Sequence, residues 1–185
     1  MWIFGYGSLT WKTDFPFKRR VIGHIKGFTR RFWQGSEDHR GVPGAPGRVV
    51  TIVPSSDPEA QVYGVAYEIA EGDIPEVIEY LDYREKDGYE QICVTFYPST
   101  EDLKAFELKI YVASTENPFY LGPASLDDIA KQIFLSEGPS GRNDDYLLQL
   151  AETMRKIAPH VEDDHLYELE KLVKGLKTNT MEAVY

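Results

Sequence analysis

The apolar periodicity of this chain changes once, and that change limits the folds open to it. Up to residue 114 apolar residues alternate in short runs broken by glycine and proline. Beyond it they recur at three- and four-residue spacing. Trp2, Ile3 and Phe4 read as a short strand stopped by Gly5 and Gly7. Residues 21–32 (VIGHIKGFTRRF) read as one strand bent or bulged at Gly23 and Gly27. Further strands are expected at 48–53, 61–69, 91–97 and 106–114, with a Gly- and Pro-rich loop at 35–47. One helix interrupts the series: Asp73 can cap it, Pro75 suits its first turn, and Val77, Ile78 and Leu81 share a face. Three helices follow. Ser125 and Asp128 open the first, with apolar Ile129, Ile133 and Phe134, and Gly138 and Pro139 stop it. Asn143 or Asp144 opens the second, with Leu147, Leu150, Ala151 and Met154. Asp163 opens the third, with Leu166, Leu169, Leu172 and Val173. Short strands with bend-forming glycines, followed by packed helices, predict an α+β fold: a small curled sheet or barrel with C-terminal helices. A single domain is expected over residues 1–185, with the segment from about 174 a mobile tail.

Charge narrows the partners. Thirty acidic residues against 20 Lys and Arg give a net charge of −10, which disfavours nucleic acid or an anionic membrane surface. The single cysteine, Cys93, excludes an internal disulfide and allows a reducing compartment. It lies mid-strand in QICVTFY and is read as an inert buried thiol. The start MWIFGYGSLTWK has no basic segment ahead of an apolar one, so no secretory signal is expected and a cytosolic location is.

Four segments can carry chemistry. In Gly5, Tyr6, Gly7, Ser8 and Leu9, two glycines flanking a tyrosine let the backbone bend and turn N–H groups outward. Such a nest holds a carboxylate or an oxyanion, or is simply a tight turn. In Tyr83-Arg84-Glu85-Lys86-Asp87-Gly88-Tyr89, Glu85 sits among aromatic neighbours. It is either a partly desolvated general base or part of a solvated, charged helix end. In the 35–47 loop, Arg40 can clamp a carboxylate, and His39 is a base, a ligand or a hydrogen-bonded loop residue. Residues 138–146 (GPSGRNDDY) run into a helix start. There Arg142 and Tyr146 either address an anion or belong to a capping segment. The histidines, His24, His39, His160 and His165, form no zinc pattern, so no metal is expected.

Taken in order, GYGSL at 5–9, RRFWQGSEDHRGVPGAPGRVVT from Arg30, YGVAY from Tyr63, YLDYREKDGY from Tyr80, and NPFYLGP through GPSGRN resemble the ChaC-type glutathione-specific γ-glutamylcyclotransferases. The compact N-terminus is most similar to the shorter, ChaC2-like branch. The resemblance runs from Trp2 to about Val173 and implies a γ-glutamylcyclotransferase-like fold, a small barrel with helices. It implies cleavage of glutathione to 5-oxoproline and cysteinylglycine, with no metal or cofactor. The 5–9 loop matches the one that holds the γ-glutamyl group, Glu85 falls on the catalytic glutamate, and Arg40 and Tyr146 match pocket positions. Glutathione is then the partner, and the protein a monomer or homodimer. An acidic protein with an anionic substrate needs a local cation, for which Arg40 leads and Arg48 and Arg142 follow. Two other readings stand beside this one: an enzyme acting on different γ-glutamyl amines, and a binding module of the same fold.

Overall fold

The computed structural model describes residues 1–84, 89–113 and 116–182. In chain order its elements are β1 (Trp2–Gly5), β2 (Arg19–Lys26), β3 (Phe28–Ser36), β4 (Gly47–Pro54), β5 (Gln61–Glu68), α1 (Ile74–Arg84), β6 (Tyr89–Pro98) and β7 (Phe106–Ala113). The remaining elements are α2 (Leu126–Leu135), the short strands β8 (Glu137–Gly138) and β9 (Gly141–Arg142), α3 (Asn143–Ile157) and α4 (Asp164–Glu182). They gather into two compact units, residues 1–29 with 52–118, and residues 30–51 with 119–185.

The first unit holds a closed barrel in the order β1-β5-β2-β6-β7. β2 pairs antiparallel with β5 along its whole length, from Arg19 opposite Glu68 to Lys26 opposite Gln61. β6 and β7 pair from Tyr89 opposite Ala113 to Phe96 opposite Phe106, and a parallel bridge between Ile3 and Lys109 closes the ring. Ile3, Phe4, Ile25, Val65, Phe96 and Ile110 are buried at or near zero exposure. Burial of this apolar surface is the main force holding the unit together. The stretch expected to be one strand at 21–32 is two. The chain turns at Gly27, with φ of 79°, and β3 leaves the barrel to pair with β4 in a separate two-stranded sheet. Cys93 is exposed rather than buried. Alternation along β6 puts it in phase with Gln91 and Thr95, while Phe96 takes the buried phase.

The second unit contains α2, α3 and α4, which pack on one another through the expected apolar stripes. Ile129 and Ile133, Leu147 and Leu150, and Leu166, Leu169 and Val173 are each fully buried. Ser125 caps α2 by accepting from the Asp128 N–H, and Asp163 does the same for Leu166 at the start of α4. Where a tail was expected from residue 174, α4 runs on to Glu182. Among the described residues no helix is long and apolar enough to cross a membrane.

Candidate active site

β1 delivers the glycine loop in the first unit. A Cβ on Gly5 would lie 2.5 Å from Leu9 Cβ, so only glycine lets the chain fold back this tightly. A short 3-10 turn, Ser8–Thr10, follows. Three successive carbonyls are turned into internal bonds. Gly7 O accepts from the Thr10 N–H at 3.0 Å and its hydroxyl at 2.8 Å. Ser8 O accepts from Trp11 at 3.1 Å and Lys12 at 2.8 Å. Leu9 O accepts from the Tyr67 hydroxyl at 2.7 Å. The Tyr6 hydroxyl, itself buried, donates to Tyr111 O at 2.7 Å. These three carbonyls are thus committed within the fold, and Gly7, Ser8 and Leu9 are half-buried. That suits a carboxylate or an oxyanion. Tyr67, whose burial raises its pKa, was not picked out by the sequence reading. Its signal was the second tyrosine of YGVAY, 58 residues from the carbonyl that it holds.

The second unit brings Arg40 and Tyr146 together. The Arg40 guanidinium lies 5.6 Å from the Tyr146 ring centroid, donates to Arg142 O at 3.0 Å, and has its backbone N–H on Ser36 Oγ at 3.0 Å. Among the described residues no carboxylate pairs with it, so its charge is available to an anionic ligand. Tyr146 is 5% exposed, its hydroxyl accepts from the Val50 N–H at 3.4 Å, and its ring stands edge-on to Phe32 at 6.1 Å. The surrounding backbones pack closely, since a Cβ on Gly138 would sit 2.4 Å from His39 O. His39 proves to be a hydrogen-bonded loop residue. Its Nδ1 is 3.1 Å from Ser140 Oγ, its Nε2 3.6 Å from Asp38, and its carbonyl accepts from the Ser140 N–H.

The two reserve cations are otherwise engaged. Arg142 is paired with the fully buried Asp144 at 3.0 Å, which favours the capping reading of residues 138–146. Arg48 is buried and spends donors on Gln132 Oε1 and on the carbonyls of Phe32 and Gly122. Glu85 lies outside the described residues. The helix before it, α1, is fixed by the fully buried Val77 and Leu81.

The family model of ChaC-like proteins matches residues 1–176. This chain belongs to the ChaC family. Among ChaC relatives, glutathione-specific γ-glutamylcyclotransferase 1 of Danio rerio is 46% identical over 172 residues, 92% of this chain and 87% of the relative. The Homo sapiens protein of the same name is 44% identical over 168 residues, 90% of this chain and 75% of its own. A crystal structure of a γ-glutamyl cyclotransferase specific to glutathione from yeast superposes with a TM-score of 0.88. It has 31% identity and covers 95% of this chain and 96% of that one. A more distant γ-glutamyl cyclotransferase, at 16% identity and TM-score 0.52, shares the fold. The ChaC chain therefore has the γ-glutamyl cyclotransferase fold expected from its sequence.

Proposed function

We propose that this protein cleaves glutathione to 5-oxoproline and cysteinylglycine. The observation that carries the reading is near-full-length identity of 46% to a protein named for that specificity. Each unit adds support: a loop whose Gly7, Ser8 and Leu9 carbonyls are bonded within the fold, and an arginine with no carboxylate partner among the described residues, suit the carboxylates of that substrate.

The chemistry follows from the substrate. Its own α-amine attacks its γ-carbonyl carbon, forming the lactam C–N bond. The scissile C–N bond breaks and cysteinylglycine departs as the amine. The enzyme has to hold the γ-glutamyl arm in a near-attack shape and help two protons leave the attacking nitrogen. Glu85 takes one proton from the ammonium, freeing the lone pair, and returns it to the leaving nitrogen; the second proton, acidic once the new C–N bond has formed, leaves the ring nitrogen for solvent. The amides of Gly5, Tyr6, Gly7, Ser8 and Leu9 hold the γ-glutamyl group, and Arg40, braced by Tyr146, binds a substrate carboxylate. Residues 1–185 are read as a single domain, which a family match over residues 1–176 supports. The location is cytosolic, where glutathione is abundant, and the protein acts as a monomer or homodimer.

Mass spectrometry of glutathione incubated with the purified protein should detect 5-oxoproline. N-acetylglutathione should give none, because an amide nitrogen has its lone pair delocalised. Turnover of γ-glutamyl-alanine in preference to glutathione would move the activity to other γ-glutamyl amines.

A further inference from the structure

The inner face of β3 carries a polar group with no assigned task. Strand alternation turns Arg30, Phe32, Gln34 and Ser36 to one side, and all four are buried. Three are occupied. Arg30 pairs with Asp163 at 2.8 Å, Phe32 stands edge-on to Tyr146, and Ser36 Oγ receives the Arg40 N–H. Gln34 differs. It is 2% exposed, yet its Oε1 has no hydrogen-bond partner among the described residues. Rotating the carboxamide by half a turn puts Nε2 in the same place, so one end of the amide is unbonded either way. The strand cannot shift to relieve this. Leu121 and Gly122 donate to Trp33 O, and the Gly35 N–H donates to Phe119 O at 2.7 Å, fixing the backbone on both flanks of Gln34. A buried amide atom without a partner opposes folding, and such groups in native proteins call for a ligand or an ordered water.

We propose that Gln34 is a binding and specificity-determining residue whose carboxamide hydrogen-bonds the cysteinyl–glycyl peptide amide of glutathione. This rests on the reading of the protein as a glutathione-cleaving enzyme. Glutathione presents an ammonium, two carboxylates, a thiol and two amides. Charged ends are matched by charged or strongly polarised groups, and Arg40, tied to the same strand through Ser36, answers a carboxylate. A neutral carboxamide between Phe32 and Ser36 instead complements an uncharged amide, donor to acceptor and acceptor to donor. Of the two amides, the scissile one changes geometry during the reaction, whereas the cysteinyl–glycyl amide does not. Contact with the latter binds ground and transition states equally, so its loss raises KM and leaves kcat unchanged. A substrate lacking that amide gains nothing from Gln34, which makes the residue a discriminator between the tripeptide and γ-glutamylcysteine.

The test measures 5-oxoproline release from glutathione and from γ-glutamylcysteine by wild type and Gln34→Leu, with thermal melting of each. The expected result is a roughly tenfold rise in KM for glutathione at unchanged kcat, with γ-glutamylcysteine kinetics unaltered. Equal losses on both substrates, or unchanged kinetics with a raised melting temperature, would overturn the proposal, the second outcome assigning the site to water. If Gln34→Leu does not fold, Gln34→Asn keeps the amide one methylene shorter and must show the same substrate-selective rise. If wild type releases no 5-oxoproline from either substrate, the functional reading fails on its own. Calorimetric binding of glutathione then decides Gln34 separately: weaker binding by the variant supports it, equal binding rejects it.

Discussion

Tyr67, Arg40 and Glu85 are expected to fail in three different ways. Tyr67→Phe keeps the ring in the barrel and deletes the hydroxyl that holds Leu9 O. It should cost about 1 kcal/mol of stability and lower kcat/KM, because the loop amides lose their fixed direction. Unchanged kinetics in this variant would make Tyr67 a packing residue only. Arg40→Ala should raise KM with kcat nearly constant, since a carboxylate clamp binds ground and transition states alike. A collapse of the fold would instead make the Arg40–Tyr146 contact structural. Glu85→Gln should fold normally and lose roughly two to four orders of magnitude in kcat, the usual range for a missing general base. Near wild-type turnover would remove Glu85 from the mechanism. The glycine loop and Arg40 stood out in the sequence because their signals are local: glycine spacing in one case, a cation in a Gly/Pro loop in the other. Tyr67 and Gln34 did not, because their significance depends on a carbonyl 58 residues away and on an orphaned amide atom. Neither leaves a mark in composition or spacing.

At the scale of elements, alternation and helical stripes located every barrel strand and each long helix. The errors arose where tertiary structure overrides a local pattern. The 21–32 stretch divides at Gly27, where the backbone enters the left-handed region, and no local cue says that β3 will pair with β4 outside the barrel. The end of α4 was misjudged for a similar reason. Gly175 and the following Thr and Asn residues are weak helix formers. The extended helix is tied to α3 where Lys177 reaches Asp144 at 2.7 Å, and the Thr178 and Thr180 hydroxyls fold back onto the carbonyls four residues before them. Asp144 is fully buried at the start of α3 and takes both Arg142 and Lys177. Burial pushes its carboxyl up, but the two cations outweigh this and hold it below the usual range. Asp144→Ala should therefore destabilise the protein by about 2 kcal/mol, and Lys177→Ala by less, because that ammonium is partly exposed. Denaturant midpoints of the two variants check the order. Equal midpoints for both variants and wild type would leave the α3–α4 junction to apolar packing alone.

Over the whole molecule, the response to acid combines a large negative charge with the half-buried His165. At −10 the chain repels itself, and acidification toward its pI of about 4.9 relieves that repulsion. His165 opposes the trend. Its Nε2 accepts the Phe32 N–H at 3.0 Å, and burial, aided by Arg31, lowers its pKa from 6.5 to about 4. The unfolded chain takes up this proton first. The stability that His165 contributes is therefore whole above about pH 6.5 and drains away as pH falls toward 4. The lowered carboxyls of Asp144 and Glu170 act in a later window. Their contribution is complete above the ordinary carboxylate range and disappears only as pH drops through and below it. Charge relief and the loss of the His165 contribution therefore run in the same window with opposite signs, and only a His165 variant separates them. His165→Gln, whose side-chain oxygen can accept the same Phe32 N–H without titrating, should start lower at pH 7.5 and gain more, or lose less, melting temperature than wild type between pH 6.5 and 5. A variant whose melting temperature changes by the same amount as wild type between pH 6.5 and 5 would remove His165 from the pH response.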